Sequence, residues 1–110
     1  MKNYVQDGEV LELIAPYAVG SGDGALVGSI FGVAVNAYAN GVAGVFRREG
    51  VCTVTALSTD VITQGTKVYW DNAAKRMTGI LTGNTLVGAA TVAKANGETT
   101  VTVLLDGAVR

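Results

Sequence analysis

No histidine occurs anywhere in these 110 residues. That removes the commonest general base, the Ser-His-Asp and Cys-His constellations, and the commonest metal ligand. A single cysteine, Cys52, rules out an intrachain disulfide, and nothing in the sequence asks for an oxidising compartment. Charge is scarce: Asp, Glu, Lys and Arg make up 15% of the chain, against roughly a quarter in ordinary globular domains. With a net charge of −1 and only two adjacent basic pairs, Arg47-Arg48 and Lys75-Arg76, the chain lacks the basic cluster that phosphate neutralisation needs. Nucleic acid is therefore excluded as the main partner. Long apolar runs are missing too. The longest, residues 30–35, contains Gly32 and is too short to span a membrane. Residues 1–8 are polar and hold no apolar stretch of signal-peptide type, so the expectation is a soluble protein made and kept in a cytoplasm.

The composition that remains is that of a β protein. Glycine is present 15 times, proline once, and Val and Thr, which suit a pleated half-buried surface, are abundant. Short apolar runs bounded by Gly, Asn and Asp read as strands and turns. Val10-Leu11-Glu12-Leu13-Ile14 is the first, closed by Pro16. After the turn cluster Ser21-Gly22-Asp23-Gly24, residues 25–35 read as one long, nearly all-apolar strand, either buried on both faces or part of a barrel wall, with Gly28 and Gly32 as bulges or bends. Residues 42–46 and 51–57 follow, broken near Gly50. Residues 65–70 and the segment Lys75-Arg76-Met77-Thr78 form a hairpin around Asp71-Asn72. A strand over residues 86–95 then turns at Asn96-Gly97 into residues 99–105, because Asn-Gly tolerates the positive φ of a tight hairpin. Residues 59–64 are the one stretch that could be helical. The spacing predicts a compact all-β fold, an antiparallel β-barrel or sandwich of about eight to ten short strands with little or no helix. It is read as a single domain over residues 1–110, whose first eight residues can extend from it.

Catalytic chemistry is hard to build from these residues. Cys52 lies in the β-branched run Val51-Cys52-Thr53-Val54-Thr55 and is expected to pack as a small hydrophobe. Asp23 and Asp71 are expected to bond nearby backbone N–H groups in turns. Gly20-Ser21-Gly22-Asp23-Gly24 has no Lys-Ser/Thr ending and no following helix, so it is no phosphate loop. No zinc or calcium spacing is present. The chain is read as a structural or binding protein, not an enzyme, with no cofactor and no metal. Low charge with positive mean hydropathy leaves apolar surface to be covered by another chain. Trp70, the one tryptophan, ends a strand beside a turn. It is either a core plug or an interface anchor.

Several segments carry a resemblance: Met1-Lys2-Asn3-Tyr4-Val5-Gln6-Asp7-Gly8, Ala15-Pro16-Tyr17 with Ser21-Gly22-Asp23-Gly24, and Val27-Gly28 with Phe31-Gly32-Val33-Ala34. Gly44-Val45-Phe46, Gly65-Thr66-Lys67-Val68-Tyr69-Trp70-Asp71 and Leu86-Val87-Gly88-Ala89-Ala90 continue it. In this order they are similar to the phage head decoration, or capsid cement, proteins, and Gly-x-Lys-Val-Tyr-Trp-Asp is the most specific part. The resemblance implies a β domain that binds the outer surface of an expanded tailed-phage head, across junctions between subunits of the major capsid protein. It also implies a homodimer or homotrimer located in the virion and made in the bacterial host cytoplasm. Contacts with the capsid or between copies are expected at Lys2, Asn3 and Tyr4 in the polar N-terminal segment, and at or near Tyr17, Arg47, Arg48 and Trp70. Another virion part, such as a tail-tube or head–tail joining protein, is the alternative, and a small hydrolase or sugar-binding module a more distant one. Removing residues 2–6 is expected to leave the fold intact and to abolish binding to phage heads. Sedimenting the truncated protein with heads checks this, and undiminished binding would count against it.

Overall fold

The computed structural model describes residues 10–107. Nine strands form among them, and no helix: β1 (Val10–Ile14), β2 (Gly24–Val27), β3 (Ile30–Ala34), β4 (Ala43–Arg47), β5 (Glu49–Thr55), β6 (Lys67–Asp71), β7 (Arg76–Thr78), β8 (Thr85–Ala90) and β9 (Thr100–Asp106). They make two antiparallel sheets, ordered β1-β4-β3-β2 and β5-β9-β8-β6-β7. The second sheet curls until the end of β5 meets β7 at one parallel bridge, Ala56 to Met77, where the Leu57 N–H donates to the Met77 carbonyl at 2.9 Å. One bridge is not a ladder, so the fold is sandwich-like and not a closed barrel.

Alternation of side chains decides which way each strand faces. In β9, Val101, Val103 and Leu105 are buried while Thr100, Leu104 and Asp106 are exposed. In register with it, Cys52 and Val54 of β5 turn inward and Val51 and Thr53 outward. The concave side of the second sheet gathers Val54, Val68, Trp70, Met77, Val87, Val101, Val103 and Leu105, and Phe31, Val33 and Leu26 of the first sheet close over them. The opposite face of the first sheet has its own smaller core. There Ala25, Ala34 and Phe46 pack with Ala15 and Val19 of the β1–β2 connection and with Tyr38 of the β3–β4 connection. These two connections are tied by the Val19–Tyr38 bridge. Tyr38 lies over Gly44, where an added Cβ would come within 2.4 Å of its ring, and its hydroxyl accepts the Val45 N–H at 2.9 Å.

The β2–β3 hairpin therefore has core on both sides, the first of the two readings of residues 25–35, but it is two strands and not one. Gly28 adopts φ +61°, so the chain reverses at Gly28-Ser29 between the paired Val27 and Ile30, and a glycine at the first position of a two-residue turn suits that geometry. The strand expected over residues 86–95 ends at Ala90, because Lys94 pairs instead with Ile62. Asn96-Gly97 consequently sits in a longer connection and does not form a tight hairpin, although β8 and β9 are antiparallel neighbours. Residues 59–64 form turns and a bridge, not helix. The break expected near Gly50 falls at Arg48, the single residue between β4 and β5. At this point the chain leaves one sheet and enters the other, the usual way a sandwich turns its corner. The half-buried Arg48 guanidinium donates to the Gly107 carbonyl there.

Phe46 has no exposed surface and anchors the smaller core. Phe46→Ala should cost about 3–5 kcal/mol in urea unfolding. A loss below about 1 kcal/mol would mean that the first sheet does not depend on that core.

Candidate interface surfaces

The sequence places a turn after Trp70, and the side chains of that turn build a cleft. The Asp71 carboxylate accepts the N–H groups of Ala73 and Ala74, both at 3.1 Å, as expected of it. Asn72 Oδ1 accepts the Trp70 indole N–H at 3.1 Å and the Lys75 ammonium at 3.2 Å. Lys75 has φ 59°, a left-handed backbone held by its N–H to the Asp71 carbonyl at 2.7 Å. This backbone aims the side chain across the seam between the sheets, so that its Nζ lies 4.4 Å from the centre of the Tyr17 ring, a cation–π contact. The Tyr17 hydroxyl donates to the Gly24 carbonyl. Together Tyr17, Asp23, Gly24, Val54, Thr55, Trp70 and Lys75 line a cleft of about 240 Å³.

Of the residues expected at an interface, the structure brings Tyr17 and Trp70 to this one cleft. Trp70 is 2% exposed and packs against Phe31 with ring centroids 5.1 Å apart. Of its two readings the structure gives the core plug, and the ring supports the cleft from behind. Arg47 is exposed and in register with Val33, which is itself paired with Gly24, so it stands on the same end of the first sheet as the cleft. Arg48 is turned toward Gly107 at the corner. Lys2, Asn3 and Tyr4 lie outside the described residues.

Three features were not anticipated. A second depression, of about 350 Å³, crosses the outer face of the second sheet between Lys67, Leu86, Gly88, Ala89, Leu104 and Asp106. Lys75 gave no signal beyond a basic pair. Lys94 is the third: it is 2% exposed, and its ammonium donates to the carbonyls of Ser58 (3.1 Å), Asp60 (2.7 Å) and Ala95 (3.3 Å). Burying an ammonium is costly unless its protons are all taken up, and three carbonyls meet that need. The Asp60 carboxylate in turn accepts from the Thr78 hydroxyl at 2.6 Å and the Gly79 N–H at 3.0 Å. A lone lysine between Ala93 and Ala95, beside a turn, was the only trace of this in the sequence.

Cys52 is half-buried against the main core, as expected, and burial pushes its thiol up despite the opposing charge of Arg47. No cluster of three His, Cys, Asp or Glu side chains among the described residues could hold a metal ion.

Burial raises the Tyr17 hydroxyl above its ordinary pKa, and the negative charge of Asp23 adds to the effect. An acid whose folded pKa is raised keeps its proton longer in the folded state. Its contribution is therefore intact below the unfolded value of about 10 and is lost as pH rises through the raised folded value. In urea unfolding, Tyr17→Phe is expected to be weaker than wild type by about 1 kcal/mol near neutral pH, from the lost bond to Gly24. Above about pH 10 the gap should close. A gap that stays constant to about pH 12 would show that Tyr17 ionises as it does in the unfolded chain.

Neither a curated protein nor a solved structure matches the chain at a significant level. A family model does: the one described as phage cement protein matches residues 5–105. With a match across almost its whole length, the chain belongs to the phage cement protein family, and its function is capsid decoration.

Proposed function

We propose that this protein binds the outer surface of the expanded phage head, across junctions between major capsid subunits, and acts there as a homodimer or homotrimer without catalysing a reaction. The family match over residues 5–105 carries the reading. Physical linkage supplies the mechanism. A ligand that binds the assembled shell and not its separated subunits stabilises the shell, by about 2.7 kcal/mol per site at a free concentration one hundred times Kd. Repeated over a closed lattice, modest sites of this kind add up against the pressure of packed DNA. Synthesis takes place in the host cytoplasm, before the protein joins the virion.

Tyr17, Arg47 and Arg48 are the proposed contacts on the end that carries the cleft, with Trp70 holding the cleft in shape, and Lys2, Asn3 and Tyr4 are proposed as a separate N-terminal contact. The cleft supports the assignment of Tyr17 because it already offers an aromatic ring, a cation and a carboxylate in fixed positions. Fixed groups lose little freedom on binding.

Mixing the purified protein with expanded, undecorated heads of its own phage and pelleting them should give saturable co-sedimentation and a raised temperature of head rupture. Absence of binding to authentic heads would overturn the reading. Rings formed by the isolated protein would then point to a tail or joining component.

A further inference from the structure

The face of the first sheet that turns toward the second is only half covered. On β2 and β3 it carries Leu26, Phe31 and Val33, all taken into the main core. Register continues this face onto the other two strands. Val33 opposes Arg47, and across the β1–β4 pair Arg47 opposes Val10, Val45 opposes Glu12 and Ala43 opposes Ile14. Val35, whose N–H donates to the Val45 carbonyl at 3.0 Å, belongs to the same face. This half stays open: Glu12, Ala43 and Arg47 are exposed, Ile14 is 55% exposed, Val35 43% and Val45 36%, and Val10 is half-buried. The strands are held from behind by Phe46 and Leu13 in the smaller core, so the open half is a fixed surface.

Two charges stand on it, Glu12 and Arg47, and neither is drawn into a hydrogen bond or an ion pair among the described residues. They occupy one diagonal of a four-residue cell in which Glu12 is paired with Val45 and Arg47 with Val10. Val10 and Val45 occupy the other diagonal. With strands about 4.8 Å apart and a rise of about 3.4 Å per residue, each diagonal spans about 8 Å. Such a cell is complementary to itself. A two-fold axis laid along the Val10–Val45 diagonal, between two copies, sets Val10 on Val10 and Val45 on Val45. The same rotation carries each Glu12 onto the other copy's Arg47, so that two ion pairs flank one apolar stack. Strands of the two copies then cross at about 70°, close to the orthogonal class of sheet packing.

We infer that this open half-sheet is the contact between copies. The protein is an isologous dimer joined by Val10 and Val45 on the axis and by reciprocal Glu12–Arg47 pairs. The inference rests on the homo-oligomer part of the cement reading and narrows it to a dimer, because a two-fold contact closes at two copies. Opposite charges that meet on both sides of the axis fix register and orientation. The patch is smaller than the roughly 20–30 residues a side of a standard interface, so in solution the dimer dissociates at about 10–100 µM. Neighbouring sites on the shell, by holding two copies close, complete it.

Sedimentation velocity of the full-length protein from about 1 to 500 µM should show monomers and dimers. Glu12→Arg and Arg47→Glu should each weaken the dimer at least about tenfold, since like charges then meet across the axis. Glu12→Arg/Arg47→Glu should restore it to within about threefold of wild type, which a merely disturbed fold would not do. Independently of charge, a short bismaleimide should join two copies of Val45→Cys in a Cys52→Ala background. It should leave Val51→Cys, on the outer face of β5, unlinked. A trimer, a wild type monomeric throughout, or a charge swap that restores nothing would overturn the interface. Head binding is read separately by co-sedimentation. A monomer that saturates undecorated heads would leave capsid decoration standing without this interface. A dimer that ignores them would support the interface and remove the placement on the outer head.

Discussion

The two sheets are held to one another by a wedge. Phe31, Val33 and Leu26 of the β2–β3 hairpin press into the mouth of the curled second sheet, and Phe31 meets Trp70 there at 5.1 Å between centroids. Gly24 makes this approach possible: an added Cβ would lie 2.8 Å from both rings. Because Trp70 is pinned from one side by Phe31 and from the other by its bond to Asn72, the β6–β7 turn is fixed, and with it Lys75 and the cleft. The hairpin also covers the smaller core with its other face. Both cores and the cleft therefore depend on one pair of short strands.

Much of this architecture is legible in the sequence. β9 alternates as its Thr/Val sequence says, and the last strand of such a chain is easy to assign because one face is fully buried. The continuous apolar stretch of residues 25–35 was harder. Burial on both faces erases the period of two, so nothing but Gly28 marks the reversal, and a glycine within an apolar run reads equally as a bulge. The end of β8 is not legible in the sequence because Thr91-Val92-Ala93 has the composition of a strand, while Lys94 pairing with Ile62 is a tertiary event that local sequence does not encode.

The candidate surfaces divide in the same way. Tyr17, expected at or near an interface alongside the family resemblance, lines a cleft. Trp70 was given a surface reading alongside a core one, and its ring lies in the core because the wedge reaches it from the other sheet. The roles of Lys94 and Asp60 are not legible in the sequence: a charged residue in a turn-rich segment is nearly always solvated, and burial of Lys94 depends on the carbonyls of Ser58 and Asp60 from one distant connection together with that of its neighbour Ala95. The family resemblance, whose most specific segment is Gly65-Thr66-Lys67-Val68-Tyr69-Trp70-Asp71, spans the β6 strand and the Asp71 carboxylate that holds the following turn.

One residue, Arg48, joins β4 to β5 and thereby the first sheet to the second. A single residue reaches about 3.5 Å. β4 is zipped to β1 from Ala43 to Arg47, and β5 to β9 from Glu49 to Thr55. Under tension between its two ends, the molecule has almost no slack to pay out. The sheets cannot part by more than a bond or two before a strand must be stripped from its ladder. A fold built this way passes a pull on one sheet to the other through the backbone instead of absorbing it in a linker.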